Sequence, residues 1–133
     1  MNRSLQRQIW ERAGSVCEYC HMPQEYDDAT FEIEHIIPRK HDGRTVLSNL
    51  ALACFYDNSY KGPNLAGFDP RTGQLVRLFH PRRHSWSRHF RWDGPFLRGR
   101  MPIGRATVKV LEINQPERVA LRAALMEEGV VFG

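Results

Sequence analysis

Glu34 and His35 stand side by side near the end of an alternating apolar run, Phe31-Glu32-Ile33-Glu34-His35-Ile36-Ile37-Pro38. Asn49 follows within Ser48-Asn49-Leu50, and Asn58 within Asp57-Asn58-Ser59-Tyr60-Lys61-Gly62. These are the residue types a one-metal phosphodiesterase needs. A carboxylate and an amide oxygen can hold a hard cation, and an imidazole can deprotonate a water. Because Glu and Asn offer a metal only oxygen, Mg²⁺ or Mn²⁺ is favoured over a thiolate-seeking ion.

A second set of reactive residues is Cys17-Glu18-Tyr19-Cys20 together with Cys54. Three cysteines are too few and too odd in number for a disulfide framework. The Cys-x-x-Cys pair could be a redox couple or half of a zinc site, but no thioredoxin-like βαβ pattern surrounds it. Charge adds a third clue. The chain is +4 overall, yet the stretch from Arg77 to Arg105 holds eight Arg against the single acid Asp93. The remainder, with 11 basic and 14 acidic residues, is net −3. A cationic segment on a mildly acidic body suits a polyanion, and Arg is the better residue for phosphate. Within this segment Trp86, Phe90 and Trp92 are interleaved with cations, as in surfaces that stack on bases. Packing into the core is the favoured reading for these three aromatics, and phosphate contact for Arg82, Arg83 and Arg88.

The elements that must position these residues can be sketched. At 133 residues the chain is most simply one domain. No apolar run approaches membrane-spanning length and the N-terminus lacks a secretory apolar region, so a cytoplasmic protein with no membrane partner is expected. Ser4 can cap a helix to Ala13, with Leu5, Ile9 and Ala13 on one face and Gly14 as its stop. Phe31 to Ile37 reads as a strand ended by Pro38, and Leu50 to Cys54 as its hairpin partner. A short helix beginning near Tyr56 or Asp57 should carry Asn58 and Lys61 and end at Gly62-Pro63. Gly67 to Phe79 reads as a further hairpin. His80 to Trp92 is ambiguous between helix and strand, and the alternation of Ala106, Val108 and Val110 predicts a strand. Asn114 should cap a last helix with Val119, Ala123 and Met126 on one face.

The ordered set Cys17-x-x-Cys20, Ile33-Glu34-His35-Ile36-Ile37-Pro38-Arg39, Gly43, Leu47-Ser48-Asn49-Leu50, Leu52-Ala53-Cys54 and Asn58-x-x-Lys61-Gly62 resembles the HNH (His-Asn-His, ββα-metal) endonucleases. The basic stretch resembles an extension found in small, stand-alone bacterial members. The resemblance implies an α+β fold: a ββα-metal (His-Me finger) core with flanking helices and an extra β-hairpin. It implies a single nuclease domain over 1–133, with its core at about 16–65 and a basic C-terminal extension at about 66–133. The activity it implies is divalent-metal-dependent hydrolysis of nucleic-acid phosphodiester bonds, with DNA the expected substrate. His35 takes the place of the general base, Glu34 and Asn58 of the ligands for catalytic Mg²⁺ or Mn²⁺, and Asn49 of the residue that braces the loop and orients His35. Arg39, Arg82, Arg83 and Arg88 are expected against nucleic acid, and Lys61 either joins them at phosphate or closes the end of its helix. The alternative is a catalytically weak or inactive, zinc-stabilised nucleic-acid-binding module.

Many HNH domains hold a structural zinc with two Cys-x-x-Cys pairs. Here the second pair reads Cys54-Phe55-Tyr56-Asp57, with Asp in the last position. Cys17, Cys20, Cys54 and Asp57 could therefore hold Zn²⁺, with His21 as a fallback fourth ligand; otherwise the metal is lost and the thiols pack in the core. One geometric expectation follows from Glu34 and His35 being neighbours. Adjacent side chains on a regular strand point to opposite faces, so the strand should bend or bulge there if both serve one phosphate, and a flat, regular pair at 34–35 would count against the site.

Overall fold

The computed structural model describes residues 1–133 as an α+β arrangement of five helices and three separate two-stranded antiparallel hairpins. Helix α1 (Arg3–Ala13) is capped by Asn2, whose side-chain oxygen accepts from the Leu5 N–H at 2.8 Å, rather than by Ser4. It stops at Gly14, whose φ of 63° is the left-handed conformation that favours glycine. Ile9 is its buried anchor and packs with the strand β2.

Strands β1 (Glu32–His35) and β2 (Leu50–Ala53) form the first hairpin, and helix α2 (Phe55–Lys61) follows at once. Every residue of β2 is buried, because α1 covers one face and α2 packs against β1 on the other. The pairing is regular: Glu32 opposite Ala53, Ile33 opposite Leu52, Glu34 opposite Ala51 and His35 opposite Leu50. The expected bulge at 34–35 is absent. Cys54 caps α2 with its sulfur, which accepts from the Asp57 N–H at 3.3 Å.

Strands β3 (Ala66–Phe68) and β4 (Leu75–Arg77) make the second hairpin. The stretch that was ambiguous in sequence is both things in turn: α3 (Trp86–His89) runs straight into β5 (Phe90–Asp93), which pairs with β6 (Phe96–Gly99). Trp86 and Trp92 pack against the core and Phe90 is inside it.

The predicted strand around Ala106 is instead helix α4 (Pro102–Val110). Pro102 presets the first turn, and three alternating residues also satisfy a helix when Ile103, Ala106, Thr107 and Val110 share a face. Gly104 lets α4 approach: a Cβ there would lie 2.0 Å from the His89 carbonyl oxygen. Asn114 does not cap the last helix, α5 (Pro116–Glu127), which is capped at Gln115. Its amide instead clamps Leu97, accepting from the N–H at 3.0 Å and donating to the carbonyl at 2.9 Å. Helix α5 buries Arg118, Arg122 and Leu125 rather than Val119, Ala123 and Met126. Arg122 is tolerated at zero exposure because the carbonyls of Pro95 and Ile113 and the Asn114 side chain take its N–H groups. No helix is long and apolar enough to cross a membrane.

Candidate metal and nucleic-acid sites

Regular pleating sends Glu34 inward, at 5% exposure, while His35 stays partly accessible. Strand β1 ends at His35, however, and the chain turns away through Ile36 to Pro38. Both residues nevertheless border one cleft of about 270 Å³, together with Pro38, Arg39 and Asn58. The pair at 34–35 is flat and regular, which counts against both side chains serving one phosphate, although both residues line this cleft.

Glu34 is held on both oxygens. The Tyr19 hydroxyl donates to Oε1, and Lys61 Nζ lies 3.3 Å from Oε2. Burial pushes the Glu34 carboxyl up, and Lys61 and Tyr19 oppose it. Burial and the neighbouring carboxylate push the Tyr19 phenol up, so it remains a donor. Lys61, expected against phosphate, is 2% exposed and also donates to the Ile36 carbonyl at 3.0 Å. It is an internal counter-charge at the end of α2, not a surface cation.

Asn58 is half-buried and donates its amide N–H to Glu32 Oε1 at 3.1 Å, which leaves Oδ1 free. His35 Nε2 is 2.8 Å from Thr45 Oγ1. Burial, then the Arg39 charge, lowers the His35 pKa. Asn49 is buried, accepts from the Ile37 N–H at 2.9 Å, and donates to the carbonyls of Ile37 at 3.0 Å and Arg44 at 2.9 Å. It ties together the two ends of the 37–44 loop and does not touch His35; Thr45, beside Arg44, does. Gly43 makes that loop feasible, since a Cβ there would sit 1.6 Å from the Ile37 carbonyl oxygen.

Tyr19, Glu32 and Thr45 were not singled out in the sequence. Glu32 had a signal, since it shares the face of Glu34 at a spacing of two. Tyr19 and Thr45 had none, because their partners are remote in sequence or lie across an irregular loop.

The donor atoms of Cys17, Cys20, Cys54 and Asp57 all lie within 4.8 Å of one another, and all four residues are buried. Tetrahedral coordination at a Zn–S distance of about 2.3 Å places sulfurs about 3.8 Å apart. Cys20 and Cys54 sulfurs are 3.9 Å apart, and Cys17 Sγ is 3.2 Å from Asp57 Oδ2. The Asp57 carboxylate is 3% exposed and no Lys or Arg pairs with it. A buried carboxylate among thiols without a cation is a donor set that fits a divalent ion. Burial pushes Asp57 and Cys17 up, while hydrogen bonds from Cys17 and Cys54 hold Cys20 down. His21 is not part of the set. Its Nδ1 is 2.9 Å from the Gly133 carbonyl oxygen and its ring stacks on Trp86 at 3.9 Å between centroids.

Among the cations expected against nucleic acid, Arg39, Arg83 and Arg88 are exposed. Arg82 is not free: it is paired with Glu18, whose other oxygen accepts from the Leu52 N–H at 2.8 Å. That ion pair ties the basic segment to β2, while Arg82 Nη1 is left without a protein partner and Arg82 also borders the groove lined by Arg44, Ser48 and Arg83.

Residues 17–64 match the family model described as HNH endonuclease. Over 113 residues the chain is 26% identical to the Septu protein PtuB of Bacillus thuringiensis. That alignment takes in 84% of this chain and 41% of the relative, so the chain spans well under half of that protein's length. No solved structure matches.

Proposed function

We propose that this chain, whose residues 17–64 match the HNH endonuclease model, is a divalent-metal-dependent endonuclease that hydrolyses phosphodiester bonds in DNA, built on a ββα-metal core formed by β1, β2 and α2. The observation that carries the reading is one cleft bordered by Glu34, His35 and Asn58, with the Asn58 amide oxygen unengaged.

Glu34 and Asn58 would hold the catalytic ion. The fit is chemical: both offer only oxygen, and each Glu34 oxygen accepts one hydrogen bond and so keeps a lone pair. When bound, Mg²⁺ or Mn²⁺ supplies positive charge for the non-bridging oxygen and the departing 3′-oxygen. Glu32 engages the Asn58 amide nitrogen, which leaves the amide oxygen available to a cation. In the tautomer that places Nε2–H toward Thr45 Oγ1, 2.8 Å away, His35 would keep the lone pair on Nδ1 to take the proton of the attacking water. Arg39, exposed at the rim of the cleft, and Arg83 and Arg88, exposed on the basic segment, supply charge for the backbone. Cys17, Cys20, Cys54 and Asp57 would hold Zn²⁺ as a structural ion.

Nicking of supercoiled plasmid with added Mg²⁺ or Mn²⁺ tests the reading, with wild type beside His35→Ala. A positioned base contributes roughly 10²–10⁴-fold, so the variant should lose that factor in rate and keep its DNA affinity. Equal rates would remove His35 from the mechanism. One observation favours the rival reading of a binding module without catalysis, namely that Glu34 is already paired with Lys61. That reading predicts tight DNA binding and no metal-dependent cleavage by either protein.

A further inference from the structure

We propose that His80, His84, Arg77 and Arg83 form a phosphate-binding pocket apart from the cleavage centre, and that its ligand is a backbone phosphodiester of the bound strand. These four side chains line a cavity of about 330 Å³ walled by Val76 and Ile103.

The backbone decides what the two imidazoles present to it. The Arg82 N–H donates to His80 Nδ1 at 3.1 Å, and the His80 N–H donates to His84 Nδ1 at 2.9 Å. A neutral ring that accepts at Nδ1 carries its proton on Nε2. Both rings are therefore fixed as Nε2–H donors, and neither Nε2 has a protein acceptor. His80 is only 6% exposed, and the two cavities it lines, this one and the groove beside Arg44, are where its unengaged Nε2–H can meet a ligand. That tautomer also excludes metal ligation through Nε2, because the nitrogen is already protonated.

Charge comes from the two arginines. Arg77 and Arg83 are exposed and neither pairs with a carboxylate. Burial and the Arg83 charge push the His80 pKa down to about 4, and burial with Arg77 and Arg83 pushes His84 down as well. At neutral pH the rings are thus uncharged donors beside two guanidiniums, a set that matches a tetrahedral anion. His80 and Arg83 also border a second groove with Arg44, Ser48 and Asn49, in which Asp42 is the acid. The pocket is therefore continuous with the loop that carries Asn49 and, through Thr45, holds His35.

The identity of the ligand as a nucleic-acid strand rests on the nuclease reading; the pocket itself does not. Side-chain ¹⁵N spectra of the histidines, recorded during titration with inorganic phosphate against chloride at equal ionic strength, test the pocket directly. His80 and His84 should show the Nε2–H tautomer and shift saturably, and Arg77→Gln or Arg83→Gln should weaken binding about tenfold. The opposite tautomer, or no saturable shift, would overturn the proposal. Short oligonucleotides with and without a 5′-phosphate then separate the sources. Equal ring shifts support the backbone diester, with each Arg variant lowering the salt slope of binding by about 1. Shifts only with the 5′-phosphate overturn that assignment and make the pocket a reader of strand ends. Plasmid nicking is scored separately: nicking without phosphate binding sinks the pocket alone, and phosphate binding without nicking sinks the nuclease alone.

Discussion

Replacing Lys61 with Met probes the innermost ion pair of the candidate site. Lys61 and Glu34 side chains are 2% and 4% exposed, their charged atoms are 3.3 Å apart, and Lys61 also satisfies the Ile36 carbonyl. Methionine fills most of the same volume but leaves a buried carboxylate with the Tyr19 hydroxyl as its remaining partner. Breaking one side of a buried pair costs about 3–5 kcal/mol. Total stability for such a domain is about 5–15 kcal/mol, so the loss is large but measurable. With a urea slope of about 2 kcal/mol/M, the unfolding midpoint should fall by about 2 M.

The pH dependence identifies the group responsible. Burial already raises the Glu34 pKa, and loss of Lys61 raises it further. The folded state then binds a proton that the unfolded state releases, so the penalty is small below the unfolded pKa and grows as pH rises toward the folded one. Urea unfolding at about pH 5 and about pH 8 should show the larger deficit at the higher pH. Adding Glu34→Gln should recover much of it, because a neutral amide needs no counter-charge. A deficit below about 1 kcal/mol at both pH values would mean that these two groups are not a buried pair.

Three further outcomes are expected. Metal analysis of protein purified without chelator should find one zinc per chain, lost in Asp57→Ala together with cooperative unfolding at the wild-type midpoint; no bound metal in wild type would leave the four donors as mere core. Asn49→Ala strips three hydrogen bonds from the 37–44 loop, so it should cost about 1–3 kcal/mol and speed amide exchange there; unchanged exchange would remove Asn49 as the brace. The cleavage rate should rise with pH as His35 loses its proton, through a pKa below that of a free histidine, and Arg39→Gln should move that limb upward because the Arg39 charge helps depress it. A limb unmoved by Arg39→Gln would place the titrating group elsewhere.

What could be read in the sequence was local. Gly14 stops α1, the run through Ile33 alternates as a half-buried strand does, and Gly62 closes α2, each signal lying within a few residues of what it specifies, while the cap of α1 falls at Asn2, two residues before the expected Ser4. The hairpin of β5 and β6 had its signal in Asp93-Gly94, a common turn pair, but the aromatics on either side fit a helix as well. Helix α4 was misread because three alternating residues are too short a window to separate a period of two from one of 3.6. The site showed the same division. The types at 34, 35, 49 and 58 were legible, whereas the burial of Lys61 depended on Glu34, and the engagement of Arg82 on Glu18, residues far along the chain. Long charged side chains look alike in sequence whether they reach water or a buried partner.

The seven residues of α2 explain why the two candidate metal centres belong to one device. Cys54 caps the helix and Asp57 lies one turn in, so the helix N-terminus is tied to Cys17 and Cys20 through the buried donor cluster. Asn58 is the next residue and Lys61 is one turn further, so the same short helix delivers an amide and a counter-charge to β1. A helix this short has little stability of its own. Its rotation about its axis, which decides whether Asn58 meets Glu32 and Lys61 meets Glu34, is fixed by contacts at the cluster end and at the β1 face. A rotation by one residue, about 100°, would turn Asn58 away from the cleft and bring Ser59 toward its place. Tyr19 ties the same two regions from the other side, since it sits between Cys17 and Cys20 and its hydroxyl ends on Glu34. The cysteine cluster is thus more than a staple for a small core: it sets the register in which the oxygen donors of the cleft can meet.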